Sequence, residues 1–529
     1  MDIDFRNISS DQLNYDICIV GAGVAGAVAA NELVEKFPKT RICVVESGDY
    51  SLSNEHNENL KNVGSTGLEI KHDSREFAVG GATNTWGGLT SIYTPIEVET
   101  RDYLELAGWP IKYDQLKSEY ISVASKYNFI NTIEMESPKD CFDSQFDKRA
   151  FVAFTTPVNY KTYINTEVVD LIYSAHVVNI SSQSESVEYI ELKNIKNIDK
   201  TVKLFAKRFI ICTGGLETVK LLLNSLESNS LVLGDEQKYL GKYFMNHPKN
   251  KWGTVKILKK DFDLNKYMGE MQGDILSYWG LSLPSDLVKQ KGLVNAYIRF
   301  DPIMPWSNDR LVYSFINLFK KSKSLLRCFY SMRKNDEVVV LDYGETGDKD
   351  YSSELERNNP LRSVLNLALY GFFRLTNIKP NVSFYNIRNY MEIEPRFENS
   401  IDLSSDLDVF GNKNINVSFF PSNRDKESLV ALHEHLKRYI EKNSLGYVNS
   451  DLKNVVEWPI VSDASHHIGG AVMGESSKDS FVDQNLKVHS LKNLYISSSA
   501  VFPTSGGANP TWTIAAMSHW MANKMELEV

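Results

Sequence analysis

Three glycines and one glutamate near the start of the chain have the types and spacing of a phosphate-binding turn. Gly21, Gly23 and Gly26 form a G-x-G-x-x-G run, and Glu46 follows it. The first glycine permits a tight turn, the second lets the backbone approach a pyrophosphate, and the third lets helix and strand pack closely. An acidic residue at this distance can bind a ribose hydroxyl and argues against a 2′-phosphate. The motif predicts dinucleotide binding, although alone it does not separate FAD from NAD.

This turn requires a strand before it and a helix after it, and the sequence supplies both. Apolar runs predict a strand over 15–20, a helix over 24–37 and a second strand over 41–46. This β-α-β order is typical of a parallel sheet. Two distant segments, 208–212 and 494–498, also read as strands, and a predicted helix follows each. We therefore expect one nucleotide-binding lobe assembled from separated segments, with the intervening stretches forming a second lobe.

Composition and charge limit the class of protein. A chain of 529 residues exceeds the length at which a single core usually divides. Its net charge of −9 disfavours a general nucleic-acid partner. The five cysteines are widely spaced and form no C-x-x-C pair, so we expect neither a disulfide framework nor a bound metal. Because residues 1–14 also lack the basic start and apolar core of a signal peptide, we expect a cytoplasmic protein.

Residues 311–333 interleave phenylalanine, leucine and tyrosine with lysine and arginine. Such a segment can associate weakly with an anionic membrane surface. It can also form a solvated helix whose apolar face packs on its own domain. We prefer this second interpretation because such helices are common in soluble proteins.

Further motifs, in order along nearly the whole chain, make it resemble the glucose–methanol–choline (GMC) oxidoreductase family, whose members bind FAD. They are V-G-G-A-T-N-T-W-G-G at 79–88, G-W-P-I followed by Y-D within 108–114, C-T-G-G-L-E-T at 212–218, N-H-P at 246–248, H-H-I-G-G-A-V-M-G at 466–474 and A-V-F-P-T-S-G-G-A-N-P-T at 500–511. Together these blocks are highly specific. The C-terminal block is most similar to the sugar- and polyol-oxidising branch that includes pyranose oxidase.

The resemblance implies an α/β fold with two domains. A Rossmann-like FAD-binding domain would hold a parallel sheet assembled from residues 1–100, 190–250 and 457–529. Residues 101–189 would connect the domains and cover the flavin. Residues 251–456 would form an α+β substrate-binding domain with a mainly antiparallel sheet.

The same resemblance implies cofactor contacts from blocks far apart in the sequence. We expect them at Gly21, Gly23, Gly26, Glu46, Gly80, Gly81, Asn84, Thr85, Gly87, Thr213, Gly214, Ser498, Pro510 and Thr511. Three positions depart from the family pattern: Gly470 replaces a common threonine, Ser498 replaces a small or acidic residue, and Thr85 stands where pyranose oxidase has a flavin-linked histidine. Because threonine cannot form that bond, we expect noncovalent FAD.

By resemblance, His466 is the catalytic base and Asn509 its polar partner. Hydride loss from an alcohol becomes easier as its proton is removed, and histidine has a suitable pKa for that task. Neighbouring side chains of an extended chain point in opposite directions, so we expect His467 to be structural. Asn509 and Pro510 could also cap a helix. We expect His247 and His519 to hold local structure.

The resulting hypothesis is an FAD-dependent enzyme that oxidises a CH–OH group of a sugar, glycoside or polyol by hydride transfer to flavin N5. The sequence leaves open whether O2 or another acceptor reoxidises the flavin. Three alternatives remain: an oxidase or dehydrogenase of non-sugar alcohols, an FAD-containing lyase on the same fold, and a catalytically idle flavoprotein.

Overall fold

A computed structural model gives the fold of the chain. It describes residues 1–53, 60–140, 142, 145–248, 250–259, 262, 264–307, 309–321, 359–376, 382–454 and 463–526.

Eighteen strands are found in the described residues. In chain order they are β1 Asp2–Asp4, β2 Gln12–Val20, β3 Ile42–Val45, β4 Val63–Thr66, β5 Asp147–Phe154, β6 Asp170–Tyr173, β7 His176–Gln183, β8 Ser186–Asn194, β9 Asn197–Ile211, β10 Asn250–Ile257, β11 Glu270–Gln272, β12 Ile275–Ser282, β13 Ala296–Pro302, β14 Phe384–Met391, β15 Ser400–Leu407, β16 Lys413–Ser418, β17 Gly446–Asn449 and β18 Leu494–Ile496.

The same part of the chain contains nine α-helices. They are α1 Val24–Lys36, α2 Pro95–Val98, α3 Tyr113–Lys126, α4 Gly214–Glu227, α5 Ser285–Lys291, α6 Arg310–Lys321, α7 Pro360–Thr376, α8 Asn423–Lys442 and α9 Thr511–Lys524.

The first sheet places the predicted glycine turn beside segments that are distant in the sequence. Its order is β1-β6-β3-β2-β9-β8-β7, and β18 also pairs with β9. The pairs β2–β3, β2–β9 and β18–β9 are parallel, with Val20, Val45, Ile211 and Ile496 in register at their carboxyl ends. Ligands of open parallel sheets bind outside these ends. The segments that follow Val20, Val45, Ile211 and Ile496 therefore meet at one edge.

The second sheet is antiparallel throughout. Its order is β11-β12-β13-β14-β10-β17, and β5 pairs with β12. Residues 389 on β14 and 433 on α8 are hydrogen-bonded, so α8 packs against one face of this sheet. A third, smaller sheet has the order β15-β16-β4. The predicted combination of a parallel sheet with a mainly antiparallel second sheet is confirmed.

The observed elements extend several predicted ones. β9 begins at Asn197 and not at 208, because its polar first half pairs with β8 through alternating residues such as the buried Val202 and Leu204. Strands β6 and β7 also belong to the first sheet, so this sheet reaches into the range 101–189 that the sequence assigned to connecting segments. The domain limits themselves stay a prediction.

The basic segment 311–333 is only partly covered by the described residues. Its first part lies in α6, Arg310–Lys321, and the remainder lies outside them. Weak association of this segment with a membrane surface therefore stays a prediction. Within the described ranges, no helix combines the length and apolar character needed to cross a bilayer.

Candidate active site

A single cavity joins the glycine turn to the predicted catalytic pair. Its volume is about 590 Å³, within the range of roughly 300–1,000 Å³ typical of ligand pockets. Of the predicted site residues, those that line it are Gly21, Gly23, Glu46, Gly81, Thr85, Gly87, Thr213, Gly214, His466, Ser498, Asn509, Pro510 and Thr511. Segments from both ends of the chain thus share one wall.

The three glycines of the turn have different reasons to be glycine. Gly21 has φ +105°, and a Cβ there would lie 2.6 Å from the carbonyl oxygen of Cys212. A Cβ on Gly26 would lie 1.9 Å from the carbonyl oxygen of Gly21, so this glycine serves helix–strand contact and does not line the cavity. By contrast, a Cβ on Gly23 would approach no described atom closer than 4.0 Å. Gly23 faces open cavity, which fits a position kept clear for a ligand.

Three helices begin at the cavity wall. Their N-cap residues are Gly23 for α1, Thr213 for α4 and Pro510 for α9, and within the described structure none caps its helix through a side-chain hydrogen bond. The first N–H groups of a helix need partners outside it, and the helix dipole adds partial positive charge. These helix starts can therefore bind phosphate or other anionic parts of a cofactor.

Glu46 lies at the end of β3 with its carboxyl group against the glycine turn. Its two oxygens accept hydrogen bonds from the backbone N–H groups of Ala22 and Gly48, each 2.9 Å long. Burial raises the pKa of Glu46 to about 7, although these N–H groups oppose the shift. The carboxyl group lines the cavity, where a carboxylate can accept hydrogen bonds from ribose hydroxyls.

His466 connects two other polar side chains at the cavity. Its Nδ1 lies 2.9 Å from Nδ1 of His247, and its Nε2 lies 3.1 Å from Nδ2 of Asn509. The Nε2 atom of His247 lies 3.0 Å from the backbone carbonyl oxygen of Ser505. His247 thus links its segment to the loop at Ser505 and also contacts the candidate base, and its predicted role in holding its own loop stays a prediction.

These contacts determine which nitrogen of each imidazole carries the proton. The carbonyl oxygen of Ser505 can only accept, so Nε2 of His247 is the donor. Burial lowers the pKa of His247 to about 4, so this ring is neutral at pH 7 and its Nδ1 accepts. His466 must then donate from Nδ1, which leaves the lone pair on Nε2. That lone pair faces Asn509 and is the one a base requires.

His467 also lines the cavity, but its ring is anchored by a neighbouring carboxylate. It is buried, and its Nε2 lies 3.3 Å from Oδ2 of Asp463. Although burial alone would raise the pKa of Asp463, His467 and hydrogen bonds from Asn246 and Lys71 hold it below its usual value. The ionised carboxylate fixes the start of the segment that carries His466.

The loop that carries Asn509 is held by a buried ion pair. Nη2 of Arg149 lies 2.6 Å from Oε1 of Glu97, and the N–H of Gly507 donates to the same oxygen at 2.7 Å. The amide of Asn509 bonds His466, so its side chain is not used as a helix cap. Of the two roles predicted for Asn509, the structure shows its contact with His466.

Two further residues predicted to contact the cofactor, in addition to Gly26, lie off the cavity wall. Gly80 has φ +97° and forms the turn before Gly81. The amide of Asn84 donates to the carbonyl oxygens of Val79 and Gly81, and its oxygen accepts from Asn159. Both residues shape the segment that bears Gly81 and Thr85, and their contact with the cofactor stays a prediction.

Local packing explains why position 470 is a glycine and not the threonine common in the family pattern. Gly470 has φ +97°, and a Cβ there would lie 2.7 Å from a side-chain carbon of Val219 on α4. A threonine would need a left-handed backbone and would collide with the helix. The position serves packing behind the site.

The sequence did not identify the residues that the second sheet contributes to the cavity. They are Tyr278, Tyr297, Arg299, Arg388 and Tyr390. On β13 polar and apolar residues alternate, a pattern that also describes a strand with one solvated face. A hint in the sequence was the repeated Tyr and Arg spacing of two residues in both β13 and β14.

The donor set fits a bound dinucleotide. Glycines keep the backbone open at the turn, helix starts face the cavity, and a carboxyl group closes the end of β3. Among the described residues, no group of three His, Cys, Asp or Glu side chains is placed to hold a metal ion.

Comparison with protein families gives one matching family model, described as GMC oxidoreductase, over residues 395–518. The gluconate 2-dehydrogenase flavoprotein of Pantoea cypripedii is 24% identical over 136 residues, which is 25% of this chain and 21% of the relative. The fructose dehydrogenase large subunit of Gluconobacter japonicus is 38% identical over 60 residues, 11% of each chain. The similarity to these two curated relatives thus covers only 21% and 11% of their length.

Comparison with solved structures covers almost the whole chain. The crystal structure of pyridoxine 4-oxidase from Mesorbium loti has a TM-score of 0.52 and 13% identity, and the match covers 97% of this chain and 99% of that one. At this identity the match shows a shared fold. It includes both the parallel and the antiparallel sheets.

Proposed function

We propose that this chain, which carries the C-terminal domain and the fold of the GMC oxidoreductases, is an FAD-dependent oxidoreductase that oxidises a CH–OH group of a sugar or polyol. One observation carries the proposal. The lone-pair nitrogen of His466 and the amide of Asn509 are 3.1 Å apart on the wall of the cavity that begins at the glycine turn. A base, a polar partner and a dinucleotide turn are thus brought together from segments distant in the sequence.

The cofactor would be held by the wall already described. The turn at Gly21 and Gly23 and the start of α1 would hold the pyrophosphate, and Glu46 the ribose hydroxyls. Gly81, Thr85, Thr213, Gly214 and the 509–511 segment line the remainder. Bound FAD supplies an acceptor for the hydride of the substrate carbon.

The residues of the chain would remove the hydroxyl proton and fix the oxygen. Nε2 of His466 accepts the proton, and a positioned base typically contributes about 10²–10⁴-fold to the rate. The Nδ2 group of Asn509 can donate to the substrate oxygen and orient it. Holding the carbon in place supplies a further positioning effect. Nδ1 of His466 keeps its hydrogen bond to His247 throughout, which fixes the ring.

Two observations favour a carbohydrate substrate. Two of the curated relatives that match are named for gluconate and fructose. The cavity also contains Tyr297 and Tyr390, whose rings stack with centroids 4.6 Å apart. Aromatic side chains with a few placed polar groups are typical of small-molecule pockets.

Anaerobic mixing of the holoenzyme with a substrate panel tests the proposal. The panel contains sugars, sugar acids, sugar phosphates, polyols, and simple and aromatic alcohols. We expect a sugar or polyol to bleach the flavin absorbance. Bleaching only by simple or aromatic alcohols would favour the non-sugar alternative. A flavin that stays oxidised with every compound would contradict oxidoreductase function, and product formation without bleaching would identify a lyase.

We also predict that FAD is bound noncovalently. Thr85 lines the cavity in place of the histidine that forms the flavin bond in pyranose oxidase, and a threonine hydroxyl does not form that bond. Acid precipitation of the holoenzyme should release all flavin absorbance into the supernatant. Flavin retained in the washed precipitate, or an intact mass increased by that of FAD, would contradict this prediction.

A further inference from the structure

One part of the cavity wall is formed by the second sheet and carries an unusual charge pattern. Tyr297 and Arg299 on β13 lie directly opposite Tyr390 and Arg388 on β14. Because alternate residues of a strand share a face, all four side chains lie on the same face. All four line the cavity. The two arginines therefore form a like-charge pair across neighbouring strands.

Such a pair is costly unless negative charge compensates it. Like charges directly opposite each other destabilise a sheet, and buried charges require partners. Arg299 is 1% exposed and Arg388 is 5% exposed.

Within the described residues, the carboxylate that pairs with both guanidinium groups is Asp301. Its Oδ2 lies 2.7 Å from Nε of Arg388, and its Oδ1 lies 3.5 Å from Nη2 of Arg299. The two guanidinium groups therefore share Asp301, which lies closer to Arg388 than to Arg299. Asp301 itself is not part of the cavity wall.

Arg299 also has hydrogen-bond donors that the described structure does not use. Its Nε and Nη1 are buried and have no hydrogen-bond partner there. Its guanidinium carbon lies 5.0 Å from the ring centroid of Tyr278, a contact that offsets charge but accepts no N–H hydrogen bond in the guanidinium plane. Buried donors of this kind are normally satisfied. Arg299 is thus a buried cation with unused donors on the wall of a ligand cavity.

We propose that Arg299, directly opposite Arg388, is the centre of an anion subsite, so that the sugar or polyol carries a carboxylate or a phosphate. This inference rests on the proposed function and names the substrate class for the same cavity. A guanidinium group presents two parallel N–H donors that match either anion. The glycine turn and Glu46 belong to the first sheet, whereas the arginines belong to the second. The subsite is therefore distinct from the pyrophosphate position.

Paired substrates and paired variants test the subsite. The substrates are D-glucose, D-gluconate and D-glucose 6-phosphate, and the variants are Arg299→Gln and the control Lys289→Gln. Lys289 is 45% exposed, pairs with Glu99 and lies outside the cavity. The Lys289→Gln variant therefore removes one positive charge away from the cavity. The apparent Kd and limiting rate of anaerobic flavin reduction are measured for each combination.

In the wild-type enzyme we expect gluconate or glucose 6-phosphate to have an apparent Kd about tenfold or more below that of glucose. Which of the two anions binds more tightly shows whether the subsite takes a carboxylate or a phosphate. Arg299→Gln should raise the apparent Kd for that anion by about tenfold or more and for neutral substrates by less than about twofold. Lys289→Gln should change neither. An equal effect of Arg299→Gln on charged and neutral substrates would overturn the subsite, because it would place the arginine's effect on the flavin or on the fold.

A binding measurement separates this inference from the proposed function. Gluconate and glucose 6-phosphate should perturb the oxidised flavin spectrum or raise the Tm of the wild-type holoenzyme, and this effect should be lost in Arg299→Gln. Binding without bleaching would leave the subsite standing while oxidoreductase function fails. Bleaching by neutral sugars without preference for anions would support oxidoreductase function and overturn the subsite. Should Arg299→Gln lose FAD, Arg299→Lys keeps the charge without the fork, and unchanged anion binding there would overturn bidentate recognition.

Discussion

Replacement of His466 by alanine should slow anaerobic flavin reduction by about 10²–10⁴-fold while the protein keeps its FAD. The expected loss follows from the position of Nε2, whose lone pair faces Asn509 at the cavity. The neighbouring imidazole of His247 is turned toward Ser505 and His466 and does not replace this nitrogen. FAD retention is expected because His466 belongs neither to the glycine turn nor to the helix starts.

His489→Ala is the matched control for this variant. His489 contacts Ser480 at 2.9 Å and lies outside the cavity, so its loss should leave flavin reduction within about twofold of wild type. Added imidazole should restore part of the rate in His466→Ala, since it replaces the missing base. A rate close to wild type in His466→Ala without imidazole would remove His466 as the base.

Local signals were sufficient to predict much of the first sheet. Strand β2, helix α1 and strand β3 follow one another with short connections, and the glycine spacing between them reflects contacts within that unit. The buried run Ile17–Val20 is apolar at every position, as expected of a parallel strand covered on both faces. The motifs at 466–474 and 500–511 lie within the range that the family model matches, and they flank strand β18 of this sheet.

The contribution of the second sheet could not be predicted in the same way. Arg299 and Arg388 occupy the polar positions of alternating strands, and alternation alone does not tell a solvated face from a cavity wall. Only the register of β13 and β14 shows that the two arginines are opposite each other. Their burial depends on how this sheet lies against segments that are hundreds of residues away in sequence.

The contact between His247 and His466 depends on the same long-range order. The two residues are 219 positions apart, and the bond forms because the segments around Met245 and Ile468 pair with each other. A motif indicates that each histidine belongs to a family block, but it carries no information on which nitrogen faces which neighbour. The tautomer of the candidate base is a property of the folded structure.

Replacement of His247 by leucine should lower flavin reduction by about 10²-fold, whereas His247→Gln should lose less than about tenfold. Leucine removes the acceptor for the Nδ1 proton of His466, which allows the proton to move to Nε2 and occupy the position of the base. An incorrect tautomer can cost as much as about 10⁴-fold in a histidine-dependent enzyme. The glutamine oxygen can replace the acceptor. The rates are measured anaerobically across pH with a saturating substrate.

The stability of the same variants provides a readout independent of the reaction. Burial lowers the pKa of His247 to about 4, below the unfolded value of about 6.5. Its contribution to stability is therefore fully present above pH 6.5 and is lost as pH falls toward 4, by at most about 3 kcal/mol. Over this pH interval both variants should lose less unfolding free energy than the wild type. Part of the loss should remain in the variants, because burial also lowers the pKa of His433. If leucine and glutamine variants had equal rates and pH profiles, His247 would serve the fold alone and would not position the base.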